Sequence, residues 1–226
     1  MYKPEKLLIL DADGTTIDAF RAMEKAFRAN KLDLGDLGRF QKRRHLFKYI
    51  GGIKEFPANI ANQISKAKRE KLIDTLTDVY RQEATMYEGM ADWINSLIDY
   101  DHVRVGMITR NVTKNATETI KLLLERHGVN ADRFDFLLHL PLKKSKTAAF
   151  RLVREKFNIN PALSYACGDE KKDFLASIET GTHPFIVSYG FEDYERLTQK
   201  ISVPPELISE SPKALRQRVD HALGIA

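Results

Sequence analysis

The chain has 226 residues, 43% hydrophobic and 30% charged, with a formal net charge of +5. That balance excludes a disordered chain, and no apolar run approaches the roughly 20 residues that a membrane span needs. A single cysteine, Cys167, excludes an internal disulfide, and the apolar part of "MYKPEKLLIL" is too short for a secretory signal, so the expected compartment is the cytoplasm.

The first element in chain order is "KLLIL", a continuous apolar run that reads as a short buried strand. It ends on "DADGT", where Asp11 and Asp13 stand two apart before Gly14. Residues 18–87 read as helices only. In "DAFRAMEKAFRANKL", Phe20, Met23 and Phe27 recur at helical spacing behind Asp18, a suitable cap. "DLGRFQKRRHLFKYI" and "ISKAKREKLIDTLTDVYRQEA" are also helical, with "GGIKEFPAN" as the loop between them. The helix "MADWINSLIDY" then leads to the strand "VRVGMI". Helices "NATETIKLLLERHG", "KTAAFRLVREKF" and "KKDFLASIETG" alternate with strands "FDFLLHL", "LSYACG" and "PFIVSY". "PKALRQRVDHALG" makes a last helix.

Strands alternating with helices predict an α/β fold: a doubly wound, Rossmann-like parallel sheet. The helix-only stretch is too long for a crossover, so residues 18–87 are expected to form an inserted all-α cap domain on a core of residues 1–17 and 88–226. That stretch carries 15 basic and 9 acidic residues, against 21 and 22 elsewhere, so the whole positive excess lies in it. Its densest part, residues 39–54, has six basic residues and no acid. Helical phase puts Arg43 among Phe40, Phe47 and Ile50, where an arginine either snorkels out or faces an anion.

In open parallel sheets, ligands bind outside the carboxyl ends of the strands. Those ends here carry Asp11 and Asp13, Thr109, Lys143 to Lys146, and Asp169. Two ionised carboxylates side by side need a compensating charge, and a divalent cation is the usual one. Mg²⁺ prefers carboxylate, carbonyl and water oxygens. Asp11 can offer its side chain, Asp13 its backbone carbonyl, and Asp169 a further oxygen, with Asp173 one helical turn on in support. The same residue types suit phosphoryl transfer, with one carboxylate as nucleophile, the other as acid and base, and a lysine neutralising charge.

"DADGT", "ITR", a lysine before a helix and "GDEKKD" resemble, in order, the four motifs of the haloacid dehalogenase-like hydrolase superfamily, in the phosphatase branch with a helical cap after the first motif. The resemblance runs from Lys6 to the terminal helix. It implies that Asp11 is the nucleophile, Asp13 the general acid and base, and Thr109 the phosphate-binding hydroxyl. It also implies that Asp169 is a metal ligand supported by Asp173. For the lysine, Lys143, Lys144 and Lys146 are all spaced acceptably; Lys146 leads because it directly precedes an amphipathic helix, and Lys144 is second. Arg110, Lys144 and Arg43 are the candidate substrate contacts. An aspartate at position 13 implies phosphate monoesters, whose alkoxide leaving groups need an acid. Thr16 departs from the family, which usually has an apolar residue there.

The expected protein is therefore a Mg²⁺-dependent phosphatase of a small phosphorylated metabolite, working through an aspartyl-phosphate, as a monomer or a homodimer. Two rivals stand beside it: a phosphomutase using the same intermediate, and a nucleic-acid-binding protein with a basic cap. Binding alone has no need of Asp13, which weighs against the second. Cys167, His45 and His139 read as structural or solvated groups.

Overall fold

The structure is a computed structural model and describes residues 2–31 and 66–225. Five strands follow the sequence reading: β1 (Lys6–Leu10), β2 (Val103–Thr109), β3 (Phe136–His139), β4 (Ser164–Gly168) and β5 (His183–Val187). A sixth, β6 (Ile208–Ser209), is an addition of only two residues. All neighbouring pairs are parallel, and the order is β3-β2-β1-β4-β5-β6. The chain lays its strands outward from β1 to β3, then crosses back to place β4 on the other side of β1. The carboxyl ends of β1 and β4 therefore flank the point where the winding reverses, which is where such sheets form their crevice.

Successive side chains of β1 point to opposite faces. Leu8 and Leu10 join one buried cluster, Leu7 and Ile9 another. The first cluster is covered by α3 (Met90–Ile98), α4 (Ala116–Arg126) and α7 (Pro212–Leu223), which contribute Trp93, Ile120, Leu124 and Leu215. The second is covered by α5 (Thr147–Phe157) and α6 (Lys171–Thr180), through Phe150, Val153 and Ala176. Both faces of the sheet are thus buried, which is why its central strands read as continuous apolar runs. Two polar groups beside this core are paired: the Trp93 indole donates to Asp220 at 2.7 Å, and Lys6 Nζ donates to the Leu223 carbonyl at 2.8 Å. No described helix is long and apolar enough to cross a membrane.

Two described helices belong to the expected cap: α1 (Ala19–Ala29), capped by the Asp18 carboxylate, and α2 (Lys66–Gln82). They pack on each other, with Asn30 Nδ2 donating to Thr75 Oγ1 at 2.9 Å. Met23, Phe27, Leu72, Leu76 and Tyr80 join the same buried cluster as the sheet. Helix α2 also docks on α4, where Arg81 Nε donates to Thr119 Oγ1 at 3.1 Å. The chain leaves the core and returns through one short antiparallel bridge, Ile17 to Met86. Asp18 N donates to Thr85 O at 2.9 Å, and Tyr87 N to Thr16 O at 3.0 Å. The expected helix "DLGRFQKRRHLFKYI", with Arg43 and His45, lies outside the described residues.

Candidate active site

The site begins where β1 stops. Asp11 N still donates to Cys167 O of β4 at 3.0 Å, so the first residue past the strand is aligned with the neighbouring strand's end. The chain then turns sharply: Thr16 N and Ile17 N both donate to Ala12 O, and Thr16 Oγ1 donates to Asp11 O at 3.0 Å. The unusual hydroxyl at position 16 thus closes the turn from within. Gly14 has a φ of +80°, and a Cβ there would lie 2.2 Å from Asp169 Oδ2. Only glycine allows both the conformation and the approach.

Asp169 follows β4 and is fully buried. Its Oδ2 accepts from Phe191 N, and its Oδ1 has no hydrogen-bond partner among the described residues. Lys146 precedes the first turn of α5 and is 1% exposed. Its ammonium lies 2.7 Å from Asp11 Oδ1 and 2.6 Å from Asp173 Oδ1. Asp173, in the first turn of α6, uses its other oxygen to accept from Glu170 N at 3.1 Å. One oxygen each from Asp11, Asp169 and Asp173 falls within 4.8 Å of the others.

Three buried carboxylates face one buried ammonium. Burial, reinforced by Asp173 and opposed by Lys146, pushes the Asp11 carboxyl up to about 7. Burial and the charges of Glu170, Asp11 and Asp173 push Asp169 well above the usual carboxylate range. For Lys146, burial works against the charge, but Asp11 and Asp173 outweigh it and hold the ammonium protonated. The uncompensated charge, the unpartnered Asp169 Oδ1 and an oxygen-only donor set fit a hard divalent cation such as Mg²⁺.

Asp13 is half-buried and turns to different partners. Tyr80 OH, from α2, donates to its Oδ1 at 2.6 Å. Asn111 Nδ2 donates to Oδ1 at 3.1 Å and to Oδ2 at 3.0 Å. Burial raises this carboxyl, and those two donors act against the rise. Thr109 is fully buried at the end of β2, and its Oγ1 accepts from Asn111 N at 3.1 Å. Arg110 is paired with Glu170 and donates from Nη1 to Leu142 O at 3.4 Å. A cleft opens over these groups, lined by Asp11, Asp13, Tyr80, Arg110, Lys146, Asp169 and Phe191.

The chain has counterparts among known proteins in sequence and in fold. Residues 8–187 match the family described as haloacid dehalogenase-like hydrolase. The chain belongs to that family. Among curated proteins, this hydrolase is 27% identical over 204 residues to a phosphoglycolate phosphatase of Nitrosospira multiformis, covering 84% of the chain and 86% of the relative. It is 24% identical over 217 residues to a phosphoglycolate phosphatase of Vibrio vulnificus, covering 91% and 92%. Among solved structures, a predicted phosphoglycolate phosphatase from Haemophilus somnus superposes with a TM-score of 0.66 at 14% identity, over 96% of this chain and 99% of that one.

In this hydrolase the structure brings together Asp11, Asp13, Arg110, Lys146 and Asp169 around the cleft, with Asp173 behind Lys146. Lys143 and Lys144 are exposed and do not line it. Three residues of the site had no part in the sequence reading: Tyr80, Asn111 and Glu170. Asn111 and Glu170 directly follow motif residues, at strand ends already marked as polar, so adjacency was the available signal. Tyr80 offered none, because it sits on a helix 67 residues from its partner. His139 has a structural place, its Nε2 lying 2.9 Å from Asn111 O.

Proposed function

We propose that this enzyme, a phosphoric monoester hydrolase of the haloacid dehalogenase-like family, cleaves a small phosphorylated metabolite through an aspartyl-phosphate on Asp11, with Mg²⁺ held by Asp11, Asp169 and the Asp13 carbonyl. The observation that carries the reading is the excess of buried carboxylate over Lys146 at the reversal of the sheet. When bound, the ion supplies charge neutralisation for the carboxylates and the transferring phosphoryl group.

In the first step an Asp11 oxygen attacks phosphorus, the ester P–O bond breaks, and Asp13 gives a proton to the departing oxygen. In the second, Asp13 takes a proton from the attacking water, the bond to Asp11 breaks, and inorganic phosphate leaves. Lys146 holds the Asp11 carboxylate in one position and balances its charge. The Thr109 oxygen accepts from Asn111 N, which leaves its hydrogen to donate to a phosphoryl oxygen. Asp173 fixes Lys146 from behind.

The phosphoglycolate phosphatases among its relatives make phosphoglycolate the first compound to test, with sugar phosphates and nucleotides beside it. The test is release of inorganic phosphate by the purified chain with Mg²⁺ and after exhaustive chelation, together with analysis for isomerised product. Metal-dependent phosphate release supports the reading. Full activity after chelation refutes the metal site, and isomerisation without phosphate release turns the assignment to a phosphomutase.

A further inference from the structure

We infer that Tyr80, on the inserted helix α2, is a positioning residue that fixes the Asp13 carboxyl for proton transfer, with Asn111 holding it from the core. The inference rests on the reading of Asp13 as the acid of the first step. Asp13 Oδ1 accepts from both Tyr80 OH and Asn111 Nδ2, whereas Oδ2 accepts from Asn111 Nδ2 alone among the described residues. A proton carried by Asp13 therefore belongs on Oδ2, since Oδ1 already receives the phenol's hydrogen. Two donors at fixed points also stop rotation of the carboxyl about its own bonds. Among the described residues nothing else holds the group so: Lys146 is engaged with Asp11 and Asp173.

Tyr80 is itself rigid. Its side chain is 1% exposed, packed in the cluster shared by the sheet and the insertion. The helix that carries it is tied to the core one residue later, through Arg81 and Thr119, and three residues earlier, where Thr77 Oγ1 accepts from Lys114 N at 2.9 Å. Through this hydroxyl the insertion reaches Asp13, while Met23 and Leu76 line the cleft beside it. If the insertion helix were displaced, Asp13 would lose the donor that selects its proton-bearing oxygen. The inserted segment then contributes to the chemical step as well as covering the cleft.

The test is Tyr80→Phe in the full chain, which removes one oxygen and keeps the packed ring. kcat/KM is measured on an alkyl phosphate and on 4-nitrophenyl phosphate, alongside Asp13→Asn and the double variant. kcat/KM reports the first step, in which the alkoxide needs a proton and the nitrophenolate hardly does. General acid catalysis contributes about 10²–10⁴-fold, and misplacing a group by about 1 Å can cost about 10²-fold. Tyr80→Phe should lower kcat/KM about 10-fold or more on the alkyl ester and less than about threefold on the nitrophenyl ester. Added to Asp13→Asn, it should cost nothing further. A purely structural Tyr80 lowers both substrates alike, and that result overturns the inference, as does a loss that persists in the Asp13→Asn background or no loss at all. If Asp13→Asn itself does not distinguish the two esters, the acid assignment fails and the inference falls with it. If Asp13→Asn distinguishes them and Tyr80→Phe does not, only the positioning role is lost.

Discussion

Asp11 and Asp13 are two residues apart, yet different parts of the molecule hold them. Among the described residues Asp11 is fixed by the core alone: its amide by β4, its carboxylate by Lys146 from the start of α5, with Asp173 of α6 behind. Asp13 is fixed by Asn111 from the core and by Tyr80 from the inserted helix. In our reading the bond-making half of the chemistry belongs to the sheet, and the proton-moving half is shared with the insertion. A turn of five residues can therefore place two carboxylates under separate control.

The comparison breaks most severely at Asp11. Asp11→Asn should reduce turnover by roughly 10⁴-fold or more, the scale on which loss of a catalytic nucleophile acts. The fold should persist, because the amide keeps the shape; steady-state phosphate release and thermal melting check both. A variant within about tenfold of the parent would remove Asp11 from the nucleophile's role.

Lys146→Met comes next. It leaves two buried carboxylates, Asp11 and Asp173, without their shared cation, and breaking a buried pair on one side costs about 3–5 kcal/mol. Denaturant unfolding should show that loss, and turnover should fall with it. Added Mg²⁺ should restore part of the stability, since it supplies charge to the same cluster.

Gly14→Ala tests the contact between the first turn and Asp169. The new Cβ meets a carboxylate oxygen at 2.2 Å from a backbone at positive φ, so Asp169 must move. Disturbing the surroundings of a metal ligand typically costs about 10- to 100-fold in metal affinity or activity. The Mg²⁺ concentration giving half-maximal rate should rise accordingly, and an unchanged Mg²⁺ dependence would separate Asp169 from the metal. The smallest effect is expected at Lys144→Ala. Its side chain is exposed and away from the cleft, so kcat/KM should stay within about twofold, which sharpens the contrast with Lys146 two residues on.

Much of this was legible in the sequence, for physical reasons that differ by element. The five longer strands are apolar on both faces, so each reads as a run bounded by turn residues. β6 pairs through only two residues, too few to show a pattern. The motif residues were legible because strand ends and polar chemistry coincide. Spacing treats the three lysines alike, and only the start of the amphipathic helix put Lys146 first; burial separates them, with Lys146 at 1% exposure and Lys143 and Lys144 exposed. Tyr80 was least legible of all. On a helix it fits an amphipathic stripe with Leu72, Leu76 and Val79, and only the docking of α2 turns its hydroxyl toward Asp13.

The bridge between Ile17 and Met86 has a consequence for how such an enzyme can change over generations. The exit and the return of the insertion are hydrogen-bonded neighbours, so the chain passes between core and insertion at one narrow junction, and helices α1 and α2 then pack back on the core beyond it. Lengthening a loop whose ends are already joined adds only about 0.6 kcal/mol per doubling. Segments of different size and surface can therefore be exchanged at this junction while the sheet, Gly14 beside Asp169 and the buried Lys146 stay as they are. On the inference drawn for Tyr80, a replacement segment would also have to bring a hydroxyl to Asp13, so that lineages diverging in what they recognise would still share that point of contact.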